Sequence, residues 1–264
     1  MGSFFTVILV NPIINILVSI YHLLSLMHIP YALGFSIIIL TVIIRFILYP
    51  LTASQLKASQ KMQKISPHIA KLKAKHKNDA KTLQAETMKL YKEHGVNPAA
   101  GCIPVIIQLP VIWALYSVLQ RVVNISNHNI ISEINKVIYF DAIKLTKPWD
   151  PTFFGIPLGQ NPSHLLKAMP LILIVPILTG VLQYFQSKML MPKKDESEPK
   201  KKDEKKEDDF AQAFQKQSTY IFPIMIGFFS YSFPIGLSLY WNTFTIFGIL
   251  QQYKIQKASS EKIK

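Results

Sequence analysis

Residues 33–52, LGFSIIILTVIIRFILYPLT, make a run of twenty residues whose only charge is Arg45. At ~1.5 Å per residue such a run, as a helix, matches the ~30 Å hydrocarbon core of a bilayer. It predicts a membrane span, which rules out a soluble core as the organising feature of the chain. Arg45 lies nine residues before Ser54, the first position past the run suited to water. That is ~13 Å along a helix, and a guanidinium at such depth costs at least ~2.5–3.5 kcal/mol on insertion scales. Two outcomes are open: the side chain snorkels back to the interface, or it faces a water-filled cavity inside a bundle. The long reach favours the cavity, which Thr41, one turn earlier on the same face, would share.

The charge is a topology signal before it is anything else. Half of the 264 residues are hydrophobic, in several long apolar runs, which predicts an integral membrane protein. The net charge of +14 comes from three segments: 53–100, 188–216 and 254–264 hold 23 of the 29 Lys and Arg residues. Residues 1–30 hold no Lys, Arg, Asp or Glu. The positive-inside rule puts the three basic segments in the cytoplasm and the N-terminus outside, with no sequence-specific nucleic-acid partner implied. The single cysteine, Cys102, reads as a buried inert thiol, and no HExxH or Cys/His pairing suggests a metal or cofactor. The formal match of MGSFFT to a myristoylation pattern reads as chance on an export-facing terminus.

Taken in order, residues 1–30 read as an amphipathic outer-face segment, with Asn11-Pro12 as a helix start and Asn15, Ser19 and His22 between apolar positions. A sixth span is the competing reading of this segment. Span 1 covers 31–53. Residues 54–100 repeat apolar residues at Ala58, Met62, Ile65, Ile69 and Leu72, a seam for a partner helix carrying Leu83, Thr87, Leu90 and Tyr91. Pro67 should kink or restart the first arm of this cytoplasmic hairpin. Its lysines Lys57, Lys61, Lys64, Lys71, Lys73 and Lys75 are either a solvated face or a surface for anionic lipid or ribosomal RNA. Span 2 (101–122) carries Gln108 at mid-depth, an outer loop covers 123–163, and span 3 covers 164–187 with Thr179, Gln183 and Gln186 on one stripe. The polyampholyte run in 188–216 is a flexible cytoplasmic loop. Span 4 (217–233) turns sharply into span 5 (234–254), which carries Ser238, Asn242 and Thr245 on one face beside Tyr240 and Trp241, and a basic tail covers 255–264.

The fold class is therefore an all-α integral membrane protein, a five-span helical bundle with an outer amphipathic N-terminal helix and a cytoplasmic hairpin. Four spans carry a polar stripe: Thr41 and Arg45, Gln108, Thr179 and Gln183, Ser238 and Asn242. Such groups face protein or water, and interhelical glue worth ~0.6 kcal/mol per contact accounts for Thr179 and Thr245. Arg45 is harder to explain that way, because no carboxylate occurs in any span. Serine or aspartyl proteolysis lacks its residues, and a transporter lacks repeats and coupling carboxylates, so the chain is not read as an enzyme.

Three stretches, GFSIIILTVIIRFILYPLTASQLKASQKMQKISP (34–67), MKLYKEHGVNPAAGCIPVIIQLPVIWALY (88–116) and FPIGLSLYWNTFTIFGILQQY (233–253), resemble the YidC/Oxa family of membrane protein insertases. The resemblance implies a hydrophilic groove, open to cytoplasm and lipid and closed outside, that takes a polar or acidic client tail and releases apolar segments into the bilayer. By it Arg45 falls on the groove arginine, Thr41 on the polar position before it, Gln108 on the motif glutamine, and Tyr240 and Trp241 on an aromatic pair. Gln183, Ser238 and Asn242 complete the expected groove. Partners so implied are nascent membrane proteins, the ribosome, the Sec translocon and anionic lipid, in a bacterial plasma membrane. The large periplasmic domain and long basic tail of some members are not matched, which is the pattern of a minimal insertase.

Overall fold

The computed structural model describes residues 6–76, 79–95, 109–117, 119, 130–189 and 210–261. A π turn (Thr6–Val10) leads into α1 (Asn11–Leu26), which Pro12 starts by supplying a pre-set φ where no donor is needed. Its buried residues Ile13, Ile14, Leu17, Val18 and Leu24 pack on α2 (Ala32–Ile47). His28 and Tyr31, both left-handed, turn the chain between the two helices.

The twenty-residue apolar run is not one straight helix. It ends at Leu48, and α3 (Tyr49–Lys75) leaves at 61°. Pro50 is the physical reason, since it offers no N–H to the Phe46 carbonyl and its ring crowds that turn. Arg45 therefore lies in the last turn of α2, three residues before the elbow. Thr52 Oγ1 donates to the Leu48 and Tyr49 carbonyls at 3.1 and 3.0 Å. Gln251 Nε2 donates to Thr52 Oγ1 at 2.7 Å, which pins the elbow to the last helix of the chain.

Pro67 does not interrupt α3, which continues to Lys75. Helix α4 (Ala80–Glu93) packs back on it, and Asp79 caps its N-terminus by accepting from the Thr82 N–H at 3.0 Å. Hydrogen bonds from Thr82 hold the Asp79 carboxyl below the usual carboxylate range. The apolar seam turns inward as its spacing required: Ile65 is buried, and Met62, Ile69, Leu72, Leu83 and Leu90 are half-buried. Between the arms lies a cleft of about 440 Å³ lined by His68, Lys71, Lys75, Glu86, Lys89 and Glu93.

Helix α5 covers 109–117; the remainder of the expected second span, with Cys102 and Gln108, lies outside the described residues, as does 190–209. The segment 130–160 differs most from its sequence-based expectation. It holds α6 (Ile130–Asn135), a 3₁₀ turn (Asp141–Ile143) and an antiparallel pair, β1 (Thr152–Phe153) with β2 (Ile156–Pro157). The Asn135 side chain pairs with both backbone groups of Leu145 at 2.9 Å. Asn15 of α1 does the same across the chain, donating to the Val137 carbonyl and accepting from the Tyr139 N–H, each at 2.8 Å. Trp149 is buried edge-on against Tyr21, and Phe153 lies so close over Gly34 that no Cβ fits there. These contacts make the segment a plug packed along α1 and over the start of α2.

A short α7 (Pro162–Leu165) and a 3₁₀ turn (Pro170–Leu173) precede α8 (Ile174–Met189), so the third apolar run is also broken near its start. Then come α9 (Phe210–Ser232) and α10 (Ile235–Glu261). The plug joins α10 directly: Ile235 and Gly236 donate to the Gln160 and Leu158 carbonyls at 2.9 and 2.7 Å. Among the described residues, Thr6–Leu26 and Pro170–Met189 are long and apolar enough to cross a membrane, and the bent pair α2–α3 adds a third where it counts as one span; Thr219–Ser232 is shorter.

Helices α8 and α9 cross through a repeated pattern, Pro176-Ile-Leu-Thr-Gly180 and Pro223-Ile-Met-Ile-Gly227. A Cβ on Gly180 would stand 3.4 Å from the Pro223 carbonyl oxygen, and one on Gly227 3.3 Å from that of Pro176. The contact is backbone on backbone, so a large side chain has nowhere to go. Gly180→Leu is expected to cost about 1–3 kcal/mol by overpacking, read as a lower melting temperature in detergent. A melting temperature equal to the parent's would show that the crossing tolerates separation.

Candidate functional site

The expected polar residues fall into two clusters, one around Arg45 between α2 and α10 and one around Gln183, Trp241 and Ser238 between α8, α9 and α10. Arg45 is 4% exposed. Its guanidinium lies 3.3 Å over the Phe244 ring centroid, and Nη2 donates to the Phe244 carbonyl. Stacking of this kind suits the flat, weakly hydrated guanidinium and not an ammonium. Its Nε finds no partner among the described residues. Arg45 is held by an aromatic face and one carbonyl of α10, and no carboxylate pairs with it among the described residues.

A second cluster lies between α8 and α10. Trp241 Nε1 donates to Gln183 Oε1 at 3.0 Å, and Gln183 Nε2 reaches Ser187 Oγ at 3.5 Å. A hydroxyl chain runs beside it: Thr179 Oγ1 and Ser230 Oγ are 3.2 Å apart, and Ser230 Oγ and Ser238 Oγ 2.8 Å. Thr179 also donates to the Val175 carbonyl at 2.9 Å. Ser230, from α9, was missed in the sequence because a lone serine between Phe229 and Tyr231 breaks no pattern.

The other expected residues divide. Thr41 is fully buried and its hydroxyl bonds back to the Ile37 carbonyl, so nothing ties it to Arg45. Tyr240 is fully buried one turn before Phe244, with ring centroids 5.8 Å apart. Asn242 Oδ1 and Thr245 Oγ1 are buried without partners among the described residues, so no interhelical bond of Thr245 is seen among them. Gln108 lies outside the described residues. Lys57, Lys61, Lys64, Lys71 and Lys75 are exposed on the hairpin; the side chain of Lys73 lies outside the described residues.

An apolar helical chain with helices long enough to cross a bilayer, and one arginine buried near the elbow between two of them, has the make-up of an integral membrane protein. The chain belongs to the 60Kd inner membrane protein family, whose model matches residues 23–262. It is 34% identical over 225 residues to the membrane protein insertase YidC of Fusobacterium nucleatum, covering 85% of this chain and 86% of that protein. The membrane protein insertase YidC of Oceanobacillus iheyensis is 34% identical over 236 residues, 87% of this chain and 76% of its own. That of Caulobacter vibrioides is 34% identical over 263 residues, 97% of this chain but only 37% of its own length. The family is one of membrane insertases, not of enzymes.

Proposed function

We propose that the seam between α2, α8 and α10 is the groove of a membrane insertase that takes polar or acidic client tails and releases apolar segments into the bilayer. The single observation that carries this reading is Arg45: a buried cation with no carboxylate partner among the described residues, on a mostly apolar helix. A fixed positive charge in a partly dry site attracts an acidic tail far more strongly than in water. The client's apolar segment slides along α2 and α10 into lipid, and partition, with the membrane potential for an acidic tail, drives completion.

The proposed topology has five spans: α2, 101–122, α8, α9 and α10. The N-terminus lies outside, and the hairpin, the 188–216 loop and the C-terminus lie in the cytoplasm of a bacterial plasma membrane. Length and composition alone would allow Thr6–Leu26 to span. Asn15, at its middle, is bonded to the 130–160 plug, and that supports α1 lying at the outer surface. The plug then closes the outer end of the groove. The exposed hairpin lysines supply the surface for ribosome or anionic lipid, and the Sec translocon is an optional neighbour.

Site-specific photocrosslinking tests the groove. With a photoreactive residue at Trp241 and ribosomes stalled early on a single-span client, crosslinks are expected at Trp241 and not at Phe140 on the plug. Crosslinking at neither position, with normal folding and expression, would remove the groove from the account.

A further inference from the structure

The antiparallel pair in the plug turns on Phe154 and Gly155, whose φ angles are +49° and +78°. A tight loop of that kind favours Asn or Asp before the glycine, because a bulky side chain is strained in the left-handed region. Phenylalanine thus stands at the tip against the local preference. Its ring packs on that of Tyr31, with centroids 4.8 Å apart, and reaches Phe35 at 6.5 Å, yet the residue stays 65% exposed. Tyr31 is itself left-handed, so two strained backbone positions meet in one aromatic pair. Burial against the protein does not account for the choice, since most of Phe154 faces outward.

We propose that the Phe154 tip is seated in the bilayer, in the interfacial zone of the leaflet at the plug end of α2. This goes beyond the insertase reading and needs only that the chain is an integral membrane protein. Two observations point to lipid. Tyr31 and Phe35 belong to the start of α2, the first helix of the bent apolar pair, so the tip stands level with the end of that helix. The segments that build the patch are also free of charge: residues 1–44 and 151–166 contain no Lys, Arg, Asp or Glu. A surface that meets hydrocarbon has to be of that composition. Aromatic rings are the side chains that settle where headgroups meet acyl chains. Tyr31 has a hydroxyl to offer the headgroups, whereas Phe154 has no polar end and belongs on the acyl side. Lipid then covers the part of Phe154 that the protein leaves bare, and the plug is tied to the bilayer as well as to α2.

The test uses the full chain in client-free vesicles of phosphatidylethanolamine and phosphatidylglycerol. A photoreactive phenylalanine analogue replaces Phe154 or, as a water-facing control on the same plug, the exposed Glu133. After illumination, mass spectrometry is expected to find lipid adducts at 154 at least about five times as often as at 133, as for a side chain buried in the interface. Lipid adducts no more frequent at 154 than at 133 overturn the anchor. Adducts at 154 to a second copy of the chain in place of lipid overturn it as well, and assign the tip to a protein contact. Should the analogue prevent folding, a nitroxide on Phe154→Cys, in a Cys102→Ser background, decides alone. It is expected to collide more with oxygen than with a water-soluble nickel chelate, and the reverse order overturns the anchor. With no client present, a negative result leaves the insertase reading in place.

Discussion

Arg45→Leu is expected to fold as stably as the parent while inserting acidic-tailed clients at least about tenfold more slowly. Burying one cation costs several kcal/mol even after relaxation. The Phe244 ring returns about 2 kcal/mol and a hydrogen bond from a charged donor about 1.5–3 kcal/mol. The two sides nearly cancel, so removing the charge leaves stability level, and leucine adds apolar contact. Function does not cancel: at an effective dielectric constant near 20, a carboxylate ~4 Å away gains roughly 4 kcal/mol. Partial screening of that attraction still leaves more than the ~1.4 kcal/mol that a tenfold rate change requires. Arg45→Lys should fall between, keeping the charge but not the flat stack on Phe244. Melting temperature and insertion rate, measured on the same samples, check both halves. An unchanged insertion rate would mean that the cation is structural.

Asn15→Leu is expected to loosen the plug. The substitution strands the Tyr139 N–H and the Val137 carbonyl, each costing about 1–3 kcal/mol if left buried and unpaired. Hydrogen exchange over 137–158 should then speed by at least about tenfold, while the α8–α9 pair keeps the parent rate. The anchor at the far end, Leu158 to Gly236, remains, so the segment should open from the α1 side first. Unchanged exchange would show that Trp149 and Phe153 hold the plug without the clamp.

Legibility in the sequence followed how local each cause was. The hairpin seam from Ala58 to Leu72 could be read because helical period and burial coincide within one segment. Arg45 was conspicuous because charge in an apolar run is costly wherever the run ends up. Pro50 was legible as a residue, but its effect was misjudged: the apolar run was measured by composition, which continues past the point where the backbone cannot. Asn15 looked like part of a wet face, since only the plug, more than a hundred residues away, reveals that it is a buried clamp. Gln186 was seen only as one more residue of a stripe. Its packing against Gly248 leaves no trace in hydropathy.

The crossing of α8 and α9 has a mechanical consequence. Most packed helices yield a little by rotamer changes at their contact, but carbonyls against glycine have no rotamers to change. The two helices therefore behave as a single stiff plank, and any widening that admits a guest is displaced to its edges. One edge is the row of Trp241–Gln183 and Ser230–Ser238 contacts, bonds between polar groups that water or a polar tail replaces one for one. A stiff joint between α8 and α9 thus shifts the yielding to the face where the polar residues are.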